Sequence, residues 1–181
     1  MASIFSHAAV AISVGTAFHR KGDGPRFWLL GALCAAIPDL DVVGLGFGIP
    51  YGSPLGHRGF THSLLFAALL AGSLVITAFR HHTEKARLWT YLFLATALHG
   101  VLDAMTTGGK GVGFFIPLTD TRYFLPLRPI RVSPIGIGAF FSARGLAVIS
   151  NELAWIWAPS ATFAMAVMFF RRKRSKAAPE G

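Results

Sequence analysis

Imidazoles and carboxylates hold divalent cations and move protons, and in this sequence they arrive in four short groups. The first is His7. The second is Pro38-Asp39-Leu40-Asp41, where two acids follow a helix-breaking proline. The third is His57-Arg58-Gly59-Phe60-Thr61-His62-Ser63, and the fourth is His99-Gly100-Val101-Leu102-Asp103. His99 and Asp103 are four apart, so on a helix they share a face and can hold one ion together. A single His-to-Asp hydrogen bond joining two helices is the alternative. Asp39 and Asp41 face one cavity if the chain there is extended, whereas only one does if it is helical; a kink whose acids cap the next turn is the other reading. His57 and His62 cannot align on an ideal helix. The spacing therefore puts His57 on a loop, with Gly59 permitting the turn and His62 opening the next helix. Against this stands a cap at Thr61 with both histidines merely interfacial.

A fifth stretch, Lys110 to Pro134, is rich in Gly and Pro and mixes Phe114, Phe115, Tyr123 and Phe124 with Lys110, Arg122, Arg128 and Arg131. Arginine's planar fork suits phosphate or carboxylate, and the aromatics suit lipid chains. Nonspecific attraction of such a loop to anionic headgroups is the competing account.

The elements that must carry these groups are set by composition. Of 181 residues, 53% are hydrophobic and 14% charged, about half the charge of a soluble domain. That excludes a disordered chain, a collagen-like repeat and an ordinary water-soluble enzyme. Five apolar stretches are candidates for crossing a bilayer: Ile4 to Phe18, Phe27 to Ile49 (broken at Pro38, Asp39 and Asp41), Ser63 to Phe79, Leu88 to Met105 and Leu153 to Phe170. A sixth, Val132 to Ile149, contains Pro134, Arg144 and several glycines and reads as interfacial or re-entrant. The expected fold is all-α: a polytopic membrane bundle of about five transmembrane helices plus that segment, one domain over residues 1–170 followed by a basic tail over 171–181. No basic region precedes the first apolar run, so that run is expected to persist rather than be removed as a signal peptide. Cys34, the only cysteine, lies in an apolar run and reads as a small buried hydrophobe.

The net charge of +9 is bunched. Arg20, Lys21 and Arg26 fall in one connection, Arg80, Lys85 and Arg87 in another, and Arg171, Arg172, Lys173, Arg174 and Lys176 in the tail. With five spans these lie on one side, which the positive-inside rule makes cytoplasmic. Nucleic acid is not the expected partner; membrane lipid is. Trp28 and Trp89 then sit at the inner interface, and Trp155 and Trp157 at the outer one. This topology also sends His7, Asp39, Asp41, His57, His62, His99 and Asp103 to one depth near the outer, periplasmic face, a coincidence that played no part in choosing the spans. His19, His81 and His82 go to the basic face.

The order of these four groups resembles the membrane-bound metal-dependent hydrolase family, the YdjM-type bacterial inner-membrane proteins, over nearly the whole chain up to the basic tail. Pro117 to Pro134, with Asp120-Thr121-Arg122-Tyr123-Phe124 and Arg128-Pro129-Ile130, is similar to that family's outer loop. More distantly, the ligands resemble the zinc-dependent phospholipase C and nuclease superfamily, in which helices hold divalent ions that hydrolyse phosphoesters. That likeness implies metal binding at Asp39, His62, His99 and Asp103, with His7 a further ligand. The chain lacks a second His-x-x-x-Glu, and Glu84 and Glu152 are poorly placed to supply one, so the resemblance implies one or two ions rather than three.

The resulting expectation is a bacterial inner-membrane, multi-pass hydrolase with its site facing the periplasm, a cytoplasmic C-terminus and an undefined oligomeric state. Its metal would be zinc first, with manganese or iron open, activating water for attack on a lipid or lipid-linked phosphoester. Asp103 or Asp41 would orient the water, and Arg58 or Arg122 would neutralise the anion formed. The rival class is a metal-ion or proton transporter built on the same residues. That class needs polar steps reaching the cytoplasmic face, where only scattered hydroxyls such as Thr16, Thr77, Thr90 and Ser160 occur. A scaffold with a structural metal would leave no open coordination position.

Overall fold

The computed structural model describes residues 1–134, 138 and 141–177. Among these the chain is helical, and its only β contacts are isolated bridges at Thr106–Ile130 and Val112–Tyr123. Helix α1 (Ile4–Phe18) starts at Ser3, whose side chain accepts from the Ser6 N–H. Helix α2 (Gly24–Ala36) opens with Pro25 in its first turn, where the missing N–H costs nothing. Pro38 then tightens the chain into a 3-10 turn (Ile37–Val42), followed by the short α3 (Val43–Gly46). Helix α4 (Leu64–Thr77) begins at Ser63, which caps the Phe66 N–H, and α5 spans Lys85–Ala104. Helix α6 (Ala143–Glu152) runs through a π turn (Leu153–Trp157) into α7 (Ala158–Ala177).

Helix α5 packs on α1, α2 and α4, α1 also packs on α2, and α7 lies along α1. Their shared interior is Ala11, Phe27, Cys34, Ala35, Ala71, Leu88, Tyr91, Leu92 and Ala95. Close approach is set by Gly31, where a Cβ would sit 1.8 Å from the Tyr91 hydroxyl oxygen. On the outside, Phe5, Leu29, Leu69, Ile76, Met165, Phe169 and Phe170 are exposed, an apolar girdle that water does not favour.

Among the described residues, two helical runs are long and apolar enough to cross a membrane, Gly24–Gly46 and Ala143–Lys176. Helices α1 and α4 are apolar but have 15 and 14 residues. At 1.5 Å per residue each reaches about 22 Å, against roughly 30 Å of hydrocarbon. Of the five expected spans, the second and the last meet that length and hydropathy among the described residues, and the other three are helical without meeting it. The last is also longer than expected: the helix begins at Ala143, ten residues before Leu153, and continues past Phe170 to Ala177 without a break at the expected start of the tail. Of the stretch Val132 to Ile149, residues 135–137, 139 and 140 lie outside the described residues, and the part from Ala143 belongs to α6.

One end of the bundle is basic. Arg87 grips both oxygens of Asp23, at 2.9 and 2.7 Å, and Arg26 donates to the Ala78 carbonyl. Arg171 donates to the exposed carbonyls of Thr16 and His19 at the end of α1, both at 2.6 Å. The three basic connections thus gather at one end, together with His19 stacked on Trp28 and His82 beside Asp23.

Candidate metal centre

The other end collects the imidazoles and acids. His99 and Asp103 close the last turn of α5 on one face, as their spacing predicts. Asp39 comes from the 3-10 turn after α2, His62 from a 3-10 turn (Phe60–His62) before α4, and His7 from the start of α1. Each of Asp39, His62, His99 and Asp103 offers a donor atom within 4.8 Å of the others, and all four are buried. His99 Nε2 lies 3.0 Å from His62 Nε2 and 3.3 Å from Asp39 Oδ1. His62 Nε2 lies 3.6 Å from Asp103 Oδ2 and 3.8 Å from Asp39 Oδ1. Donors held at about 2.0–2.2 Å from a common ion stand roughly 2.8–3.6 Å apart, so the four edges are near those of one coordination polyhedron.

The hydrogen bonds around the ring nitrogens decide what those edges mean. His99 Nδ1 is 2.7 Å from the Ala35 carbonyl, which can only accept, so Nδ1 carries the proton and Nε2 a lone pair. His62 Nδ1 is 3.2 Å from Asp41 Oδ2, and donation to that carboxylate likewise frees Nε2. Two lone pairs then face each other at 3.0 Å beside two carboxylates. Both oxygens of Asp39 and Oδ2 of Asp103 are buried without a hydrogen bond. Such a group calls for a cation, and in its absence a proton takes the place. Burial favours neutral His62, yet Asp103, Asp39 and Asp41 outweigh it and raise its pKa from 6.5 to about 10. The donor set therefore fits a divalent ion.

His7 stacks on His99 with ring centroids 3.7 Å apart, its Nε2 is 3.5 Å from Asp103 Oδ1, and neither ring nitrogen is hydrogen-bonded. It stands within reach as a further ligand. Asp41 and His57 form a second layer rather than joining the four. Asp41 Oδ1 takes His57 Nδ1 at 2.5 Å, while Oδ2 takes the Arg58 N–H at 3.1 Å and the Thr61 hydroxyl at 2.6 Å besides His62. Asp41, His57 and His62 could themselves hold an ion, but Asp41 is already surrounded by donors that orient His62. Asp41 Oδ1 thus has His57 as its partner, while Oδ2 gathers the Arg58 N–H, the Thr61 hydroxyl and His62.

The two arginines also sit differently from expectation. Arg58 is fully buried, with Nε 3.0 Å from Asp103 Oδ2 and its terminal nitrogens on Asp103 O, Gly108 O and Thr106 Oγ1. Arg122 donates to the carbonyls of His57, Ser53 and Tyr51. Both forks are occupied by the protein, so Arg122 braces the loop and Arg58 ties Asp103 to the segment after α5. The turn that presents His57 also differs: the left-handed residue is Arg58, at φ 62°, while Gly59 is required because a Cβ there would lie 2.2 Å from the Pro54 carbonyl oxygen. The helix cap is Ser63, not Thr61.

Sequence reasoning missed two supports. The Ala2 N–H donates to Asp103 Oδ1 at 2.9 Å. Glu152, on α6 and 1% exposed, accepts from the Ser3 N–H at 2.6 Å and the Ser6 hydroxyl at 2.7 Å, and Trp157 Nε1 donates to that same Ser6. These bonds anchor the start of α1, and so His7, to the last helical run. Nothing local links positions 149 residues apart; the signal in the sequence is the pair of small hydroxyls, Ser3 and Ser6, just before His7.

Residues 1–176 match the family described as YdjM inner membrane protein. The chain belongs to that family. A relative named inner membrane protein YbcI, from Escherichia coli (strain K12), is 37% identical over 174 residues, covering 96% of this chain and 100% of that protein. No solved structure matches the chain significantly. Membership in a YdjM inner-membrane family agrees with the exposed apolar girdle, and the match extends across every group in the His/Asp cluster.

Proposed function

We propose that this YdjM-family protein is a membrane-bound metal-dependent hydrolase, acting at the periplasmic side of the inner membrane on a lipid or lipid-linked phosphoester. The observation that carries the metal is the approach of His62 Nε2 and His99 Nε2 to 3.0 Å, beside Asp39, whose two buried oxygens have no hydrogen bond, and Oδ2 of Asp103. Asp39, His62, His99 and Asp103 hold the ion, with His7 beside them. Zinc suits mixed imidazole and carboxylate donors, and manganese or iron compete for the same set. A bound divalent cation supplies Lewis acidity to the bond under attack.

The chain's own residues do the rest. Asp41 and the Ala35 carbonyl fix the tautomers of His62 and His99. Arg58 and the Ala2 N–H hold Asp103 in place. His57, paired to Asp41 through Nδ1 and bordering a cavity, is oriented as a general base is.

The five-helix topology with an outside N-terminus belongs to this proposal. It is supported by the gathering of the basic connections at one end and of the cluster at the other. A transporter would need polar steps through the bundle. Beneath the cluster lie Cys34, Ala35, Leu88, Tyr91, Leu92 and Ala95, which favours a site that ends where it begins.

Metal analysis of the purified full-length protein tests the reading. Wild type retains about one ion, His99→Ala and Asp103→Ala retain none, and Asp41→Asn binds about 10–100-fold more weakly. Incubation with phospholipids and lipid-linked sugars then shows metal-dependent product release. Metal content unchanged in both alanine variants sinks the site, and metal flux into vesicles without turnover favours the transporter.

A further inference from the structure

Two cavities meet at the site end of the bundle. The first, about 350 Å³, is walled by Met1, Ile4, Phe5, Leu40, Pro134 and Phe141, and Asp39 reaches it. Ligand cavities start at roughly 300 Å³. Its lining is apolar apart from Asp39 and the hydroxyls of Ser3 and Ser133, so it suits a hydrocarbon chain. The second, about 440 Å³, is lined by Tyr51, His57, Gly109, Val132 and Arg144 together with Met1, Ser133 and Pro134. Those last three residues belong to both, so the cavities adjoin.

The second cavity has no carboxylate in its lining, and Arg144 is exposed with no ion pair among the described residues. Lys110 Nζ stands over the Tyr51 ring, 5.8 Å from its centre. An apolar pocket and an anion-attracting pocket, joined beside a His/Asp cluster, match one amphiphile better than two separate ligands. We propose that this end of the bundle binds a single anionic glycerophospholipid, its acyl chain in the cavity beside Asp39 and its phosphate-bearing headgroup in the cavity beside Tyr51 and Arg144. The proposal rests on the lipid-phosphoester reading and adds the lipid class and the two subsites.

The test is calorimetry on detergent-solubilised full-length protein, with and without chelator, using three probes. Dioctanoyl phosphatidylglycerol carries both parts, dioctanoylglycerol lacks the phosphate, and glycerol 1-phosphate lacks the chains. The complete lipid binds at least tenfold more tightly than either half. Arg144→Gln weakens it about tenfold, the loss of one charge-assisted contact, and leaves dioctanoylglycerol unchanged, while Arg144→Lys restores part of the affinity. Leu40→Trp fills the apolar cavity, weakening both lipids and leaving glycerol 1-phosphate unchanged. Both variants are compared with wild type by thermal unfolding, and Leu40→Ala, which opens the cavity, replaces Leu40→Trp if that one misfolds.

Equal binding of dioctanoylglycerol and the full lipid removes the headgroup subsite, and equal binding of glycerol 1-phosphate removes the chain subsite. An Arg144→Gln titration identical to wild type overturns the assignment of the anion. Product release is read on the same samples. Tight, Arg144-dependent binding without turnover refutes the hydrolase and leaves the lipid site standing, whereas turnover indifferent to Arg144 does the reverse.

Discussion

Asp103 is the residue on which most of the site's polar contacts converge: the Ala2 N–H, Arg58, His62 and His7 all reach its carboxylate. Arg58 is equally committed, since a fully buried guanidinium is tolerable only when its charge and donors are matched. Arg58→Met, which removes the charge and keeps much of the volume, is expected to lower stability by about 3–5 kcal/mol, because Asp103 then keeps a buried charge without that partner. Chemical or thermal unfolding in detergent measures it, and a loss under 1 kcal/mol would contradict the pairing. Tyr91 is the opposite case. Its hydroxyl is buried without a partner, so Tyr91→Phe is expected to be neutral or stabilising.

Helix contacts carry their own predictions. Gly31 on α2 lets Tyr91 of α5 lie flat against it, and Phe27 stacks on the same ring at 4.3 Å. Gly31→Ala forces the two helices apart at an expected cost of about 1–3 kcal/mol. The double variant with Tyr91→Phe recovers part of that, because the hydroxyl is the nearest of the ring atoms in the way; a strictly additive pair of effects in a thermal melt would rule out this contact. At the basic end, burial pushes the Asp23 carboxyl up, but the Arg87 hydrogen bonds, the Arg20 N–H and the Arg87 charge together hold it below its ordinary 3.8. A carboxylate depressed in the folded state adds stability above its unfolded pKa and loses it as pH falls through the folded value. Asp23→Asn should therefore cost about 2 kcal/mol at neutral pH, and the gap to wild type should close below about pH 4. A gap that persists unchanged in acid would mean the shift has another origin.

For the whole molecule, the sorting of basic residues and metal-type residues to opposite ends predicts an orientation. Cys34 is buried, so single cysteines can be introduced against a silent background. With the N-terminus outside, Leu118→Cys, in a loop position 90% exposed, is labelled by an impermeant maleimide on intact cells, and Ser175→Cys only after permeabilisation. The reverse pattern inverts the topology and moves the site to the cytoplasmic face. Helices α1 and α4, with 15 and 14 residues, are each shorter than the hydrocarbon thickness of a bilayer.

Read alone, the sequence determined the helical class, the start and end of α1 and the approximate placing of α4 and α5, because apolar runs bounded by Ser caps and basic connections are local signals. It also determined that His99 and Asp103 share a face, since helical period alone requires it. Which imidazole nitrogen is free was decided only by the tertiary structure, through an Ala35 carbonyl and an Asp41 carboxylate that come from another helix and turn. The same holds for the occupation of Arg58 and Arg122 by the protein's own acceptors, for Glu152 anchoring α1, and for the continuation of the last helix from Ala143. The physical reason is range. Periodicity and caps act within a turn or two of chain, whereas hydrogen-bond saturation of a buried group depends on partners many turns away, which only packing brings to it.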